Sequence, residues 1–143
     1  VVRNRRTIGC NTDGVGFRRA LTELGWTPRQ VRAVVLGAGG AARAVAWELA
    51  RLPGSRVTIA NRHLARARQL ALWLSRRRPQ ACVRAVPLRA VDLAQATLLI
   101  NATTVGMRPA DGLLVDPASL HRRLLAILRP PHKPACRRKR NSR

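Results

Sequence analysis

One stretch of twelve residues constrains this chain more than any other. Val31-Arg32-Ala33-Val34-Val35-Leu36 is a short apolar run, rich in β-branched residues, with the length of a buried strand. It leads without a break into Gly37-Ala38-Gly39-Gly40-Ala41-Ala42. From there to Leu52 the sequence is rich in Ala and reads as a helix, which Pro53-Gly54 stops. In the pattern Gly37-x-Gly39-x-x-Ala42, Gly37 allows the tight turn, Gly39 lets the backbone approach a pyrophosphate, and the small Ala42 lets helix and strand pack closely. The helix N-terminus adds free N–H groups and the positive end of its dipole. This is the fingerprint of a dinucleotide site. The plain alternative is a Gly-rich structural turn. A strand in front, a helix behind and a second strand beyond argue against it.

The elements that follow keep the same rhythm. Val57 to Ala60 reads as a second strand and Leu64 to Leu74 as a second helix, with Leu70 and Leu74 at i, i+4 spacing. Cys82 to Val86 reads as a third strand, Leu88 to Ala96 as a short helix or loop, and Thr97 to Ile100 as a fourth strand. Leu124 to Leu128 fits a last strand or a helix turn. Upstream, Asn11 to Asp13 offer a helix N-cap. Gly14 to Leu24 carries Phe17, Leu21 and Leu24 at helical spacing, Gly25 ends it, and Pro28 marks a turn. Alternating strands and helices predict an α/β fold: a Rossmann-type doubly wound parallel sheet in three α/β/α layers, truncated, with right-handed crossovers. The 143 residues suit one domain, expected over 1–128, with a basic disordered tail over 129–143.

The end of the second strand selects the dinucleotide. An NAD site places Asp or Glu there to bind the ribose hydroxyls. This strand ends in Asn61-Arg62, with Arg66 four residues on and no acid. An Arg at that point can stack on adenine or pair with a 2′-phosphate, so the pattern favours NADP over NAD.

Charge and composition limit other readings. The net charge of +22 would ordinarily point to a polyanionic partner. Seven basic residues and no acid lie between Arg129 and Arg143. The other 21 basic residues are all Arg, against six acids, which leaves +15. Those arginines are expected to scatter over helix faces and loops rather than gather with aromatics that could stack bases, so nucleic-acid binding is not expected. No apolar run approaches the roughly 20 residues of a membrane span. No apolar stretch and cleavage site follow the basic Val1 to Arg6, so no secretion signal is expected, and the absent initiator Met fits a missing N-terminal part. Cys10, Cys82 and Cys136 form no CxxC pair, and His63, His121 and His132 form no ligand pattern. Reduced thiols, a cytoplasmic location and no metal are expected.

Four motifs taken together resemble the shikimate dehydrogenase family. They are Asn11-Thr12-Asp13-Gly14-x-Gly16-Phe17, Gly37-Ala38-Gly39-Gly40-Ala41-Ala42, Asn61-Arg62-His63-x-x-Arg66-Ala67 and Asn101-Ala102-Thr103-x-x-Gly106-Met107. They stand in the family's order and the likeness covers roughly Ile8 to Leu120. The resemblance implies NADPH-dependent reduction of 3-dehydroshikimate to shikimate, on the route to aromatic amino acids. It implies that Asp13 is the catalytic and substrate-binding half of a Lys–Asp pair, though a plain N-cap would account for Asp13 as well. It implies that residues 37–42 hold the pyrophosphate, that Asn61, Arg62 and Arg66 hold the 2′-phosphate, and that Asn101, Thr103 and Met107 belong to the cofactor site, with Thr103 and Met107 on the nicotinamide side.

The chain departs from the family at both ends. It begins where the family's N-terminal substrate domain, with the catalytic Lys, should end. After Val115-Asp116-Pro117 and Leu120 it reads Pro130-Pro131-His132-Lys133-Pro134 where the family's ending is expected, which fits a shifted reading frame. His63 stands where the family usually has Thr. Three readings follow: an enzyme domain active only with its missing partner domain, a non-catalytic NADP-binding module, and, least expected, a basic tail that binds nucleic acid or acidic partners. A quinate-acting relative is a further option within the first. Apolar sheet surface left open by missing elements is expected to lower stability.

Overall fold

The computed structural model describes residues 2–3, 6–7, 12–23, 25–26, 31–106 and 110–127. Its centre is a five-stranded, all-parallel sheet. The strands are β3 (Arg32–Leu36), β4 (Arg56–Asn61), β5 (Cys82–Pro87), β6 (Leu98–Asn101) and β7 (Leu125–Ile127), in the spatial order β5-β4-β3-β6-β7. The chain starts at the middle strand, steps outward through β4 to β5, then crosses back to lay β6 against the other side of β3. This is the doubly wound order expected from the sequence. It opens a crevice at the carboxyl ends of β3 and β6, where the direction of winding reverses.

The central strands lack polar alternation because both their faces are buried. On one face Ala33, Val35, Val57, Ile59, Leu98 and Ile100 pack under the helices α1 (Thr12–Glu23), α2 (Gly40–Leu49) and α3 (Leu64–Arg77). Leu49 and Leu74 are fully buried there, each contributing about 1.5–3 kcal/mol. On the other face Val34, Leu36, Ala60 and Leu99 lie beneath Leu93, Ala96, Leu114 and Leu124. That second layer consists of loops and the short 3-10 turns Leu88–Ala90 and Pro117–Ser119, with no α-helix among the described residues. Leu88–Ala96, open between helix and loop in the sequence, is thus a turn and a loop, and the last apolar segment is a strand.

Local signals fix the ends of the elements. Gly25 adopts φ +67° after α1; its N–H bonds Thr22 O at 2.9 Å and the Trp26 N–H bonds Leu21 O at 3.0 Å. This paired C-terminal cap satisfies carbonyls the helix leaves free. Helix α3 runs one turn beyond its last buried Leu, with Arg76 and Arg77 in the final turn, where cations favour the dipole. A two-stranded pairing of β1 (Val2–Arg3) with β2 (Arg6–Thr7) has no counterpart in the sequence reading, because two-residue strands carry no periodicity. Residues 128–143, with the expected tail, and Pro28 lie outside the described residues.

The arginines are less scattered than the sequence implied. Trp47 and Trp73, on adjacent helices, lie 5.4 Å apart between ring centroids. Arg43 and Arg77 sit over Trp73 at 5.0 and 4.9 Å, and Arg78 sits over Trp47 at 4.0 Å. Packing of α2 against α3 brings together side chains that are 26 residues apart in the chain.

Candidate functional site

The glycine loop closes on a contact that the sequence does not display. Gly37 has φ +113°, and a Cβ there would lie 2.9 Å from Ala102 O and 3.2 Å from Thr103 Cγ2. Both the backbone conformation and the approach of the segment after β6 therefore require glycine. The loop is pinned on two sides, by Gly37 N–H to Ala60 O at 2.7 Å and Ala102 N–H to Leu36 O at 2.9 Å. Gly39 and Gly40 differ from Gly37: a Cβ on either would meet nothing within 4 Å, so the space above them is open to a ligand. Gly39 is the extended N-cap of α2, and the first intrahelical bond runs from Arg43 N–H to Gly39 O at 2.9 Å. The N–H groups of Gly40, Ala41 and Ala42 therefore have no acceptor within the helix. Ala42 is fully buried, as close packing of α2 on the sheet requires.

Above the loop lies a cleft of ≈ 480 Å³. Gly37, Ala38 and Gly39 form its floor; Asn61, Arg62, His63 and Arg66 line one side; Ala102, Thr103 and Thr104 line the other. Arg62 and Arg66 are exposed, and none of the cleft-lining residues is acidic. Four positive contributions converge there: the two guanidiniums and the N-terminal ends of α2 and α3. His63 is the N-cap residue of α3 and makes no side-chain cap, so the first turn of α3 also keeps unpaired donors. The Asn61 amide donates to His63 O at 3.1 Å and holds the turn between β4 and α3.

Asn101 has a different position from its partners. It does not line the cleft. Its Oδ1 accepts from Thr103 N–H at 3.0 Å and from Thr103 Oγ1 at 2.7 Å, and its Nδ2 donates to Val105 O at 2.8 Å. Thr103 Oγ1 in turn accepts from Val105 N–H at 3.1 Å. The side chain of Asn101 thus shapes the loop that presents Thr103, and Gly106 continues that loop at φ +90°. Met107 lies outside the described residues, and Asp13 is placed in the first turn of α1 with its side chain outside them. Asp111, whose Oδ2 accepts from Gly106 N–H at 2.8 Å, also braces this loop; the sequence reading missed it because no motif marks it.

A family model described as shikimate / quinate 5-dehydrogenase matches residues 20–106. The chain belongs to the shikimate/quinate 5-dehydrogenase family. Within this family, a shikimate dehydrogenase (NADP(+)) of Symbiobacterium thermophilum is 47% identical over 120 residues, covering 76% of this chain and 38% of that protein. A shikimate dehydrogenase crystallised in complex with NADP+ superposes with TM-score 0.76 at 34% identity, covering 87% of this chain and 44% of that one. A quinate dehydrogenase from Corynebacterium glutamicum in complex with NAD follows at TM-score 0.73 and 30% identity, covering 82% and 43%. The chain therefore spans about two fifths of the length of the family members it matches.

Proposed function

We propose that this chain is the cofactor-binding half of an NADP-dependent shikimate dehydrogenase, a cytoplasmic oxidoreductase that reduces 3-dehydroshikimate to shikimate. One observation carries the reading: the cleft over Gly37–Gly39 is rimmed by Arg62 and Arg66 and holds no carboxylate at the end of β4. A ribose bearing hydroxyls alone calls for an acceptor there; a 2′-phosphate calls for cations.

The residues present fit the cofactor. The open space over Gly39 and Gly40, with the unbonded N–H groups of the first turn of α2, suits a pyrophosphate. Arg62 and Arg66 hold the 2′-phosphate, while Asn61 keeps the turn that positions them. Thr103 flanks the nicotinamide side, on a loop whose shape Asn101 maintains, and the motif assigns Met107 to the same side. Bound NADPH supplies the hydride. Asp13, at the start of α1, orients the substrate hydroxyl and takes part in proton transfer with a Lys from the substrate domain. That pair acts as a unit, so this chain by itself binds cofactor and does not turn over substrate.

The test is a fluorescence or calorimetric titration with NADP and NAD. NADP binds the more tightly, and Arg62→Ala weakens it by about 10- to 100-fold, the worth of one charge-assisted hydrogen bond, while NAD affinity stays the same. Equal affinity for both dinucleotides, or an unchanged NADP affinity in the variant, would sink the assignment.

A further inference from the structure

At the amino ends of the strands, away from the cofactor cleft, the second face of the sheet changes character. A parallel sheet wrapped on both sides carries apolar residues on both faces. Here Arg32 on β3 lies in register with Arg56 on β4, and Arg84 on β5 lies in register with Thr58 of β4, all on that one face. Together with Cys82 and Gln95 they line a cavity of ≈ 330 Å³, within the range of small-ligand pockets. Neutral groups hold two of the three arginines in place. Arg32 Nη1 donates to Gln95 Oε1 at 2.6 Å and Arg84 Nε donates to Thr58 Oγ1 at 2.9 Å. The single acid of the lining, Asp92, accepts from Ala94 N–H at 2.9 Å.

We propose that this cavity is a second anion site, which takes a small oxyanion carrying two or more negative charges. Like charges side by side on neighbouring strands destabilise a sheet, and an oxyanion between them turns that repulsion into attraction. Apolar cover would leave three guanidiniums desolvated against a single carboxylate, Asp92, a surplus of two positive charges. The chain's own segment 129–143 carries seven basic residues and no acid, so it does not supply the anion. The site is distinct from the cofactor cleft: its arginines cluster toward the amino ends of the strands, and Arg32 lies about 13 Å before Leu36 along β3.

Cys82, exposed at the rim of the cavity, provides a local readout. The full chain is alkylated with iodoacetamide in increasing phosphate, with chloride holding ionic strength constant, and each cysteine is followed by peptide mass mapping. Phosphate is expected to slow modification of Cys82 several-fold and saturably, leaving Cys10 and Cys136 unaffected. Citrate in place of phosphate separates phosphoryl from carboxylate chemistry; protection by either supports the site, and protection by neither overturns it. Arg56 is exposed and its side chain has no partner among the described residues, so Arg56→Gln leaves the core untouched. It is expected to raise the half-protecting concentration about tenfold or more. Arg62→Ala, in the cofactor cleft, should change nothing. The proposal is overturned by a Cys82 rate that follows ionic strength alone, by equal protection in Arg56→Gln, or by loss of protection in Arg62→Ala.

Discussion

Three glycines of one loop have separable jobs. Gly37 is held at positive φ against the backbone of Ala102, so Gly37→Ala both strains the chain and forces the segment after β6 away. A non-glycine residue in such a conformation costs about 1–3 kcal/mol before any steric term. Gly39 faces open space, so Gly39→Ala keeps its stability and loses room for a ligand. Thermal denaturation with and without NADP checks this. Gly37→Ala should melt well below the parent, whereas Gly39→Ala should melt with the parent but lose the shift that NADP produces. Equal melting of the two variants would refute the division. The same scale explains Asn101. Its motif marks it as a site residue, yet its amide and carbonyl are spent within the loop, which a one-dimensional pattern has no means to display.

Between elements, the packing of α1 on α2 turns on one buried acid. Glu48 is 9% exposed, and a Cβ on Gly14 would lie 3.0 Å from its Cγ. Arg18 Nε lies 3.0 Å from Glu48 Oε2, an ion pair without hydrogen-bond alignment, and Arg51 Nη1 lies 3.6 Å from Oε1. The pair formed by Arg19 and Glu23 at 3.5 Å stands almost wholly in solvent, at 82% and 70% exposure, and such pairs contribute little. Glu48→Ala should therefore cost about 1–3 kcal/mol in denaturant unfolding, while Glu23→Ala should stay within about 0.5 kcal/mol. Similar losses in the two would show that the buried acid does not lock the helices together. The orientation of α1 bears on the proposed function because its first turn carries Asp13.

For the molecule as a whole, charge and an open strand oppose each other. Strand β7 pairs with β6, and among the described residues no strand covers its other edge. An uncovered apolar edge favours association between copies. The net charge of +22 works against it, and that repulsion is long-ranged only at low salt, with a Debye length near 30 Å at 0.01 M and 3 Å at 1 M. Sedimentation should therefore show a monomer at low ionic strength and association that grows with salt. A monomer at every salt concentration would mean that the edge is protected. The described surface exposes few large apolar side chains, chiefly Leu72, Leu113 and Leu120, and the uncovered half of the second sheet face is arginine-lined rather than apolar. Among the described residues the open element is thus the edge of β7 rather than a bare apolar face.

The amino-acid sequence by itself determined what depends on neighbours along the chain. It specified strand, glycine turn and helix in order, and the parallel α/β class. It specified the four family motifs and the missing acid after β4, because spacing and residue type act locally. Tertiary structure decided what depends on residues far apart in the chain. It set Ala102 and Thr103 against Gly37, which makes that glycine obligatory. It stacked Arg43, Arg77 and Arg78 on Trp47 and Trp73. It left the second face to loops and turns, and it aligned Arg32, Arg56 and Arg84 across three strands. Strand register and helix packing create those proximities, and neither leaves a periodic mark in one dimension.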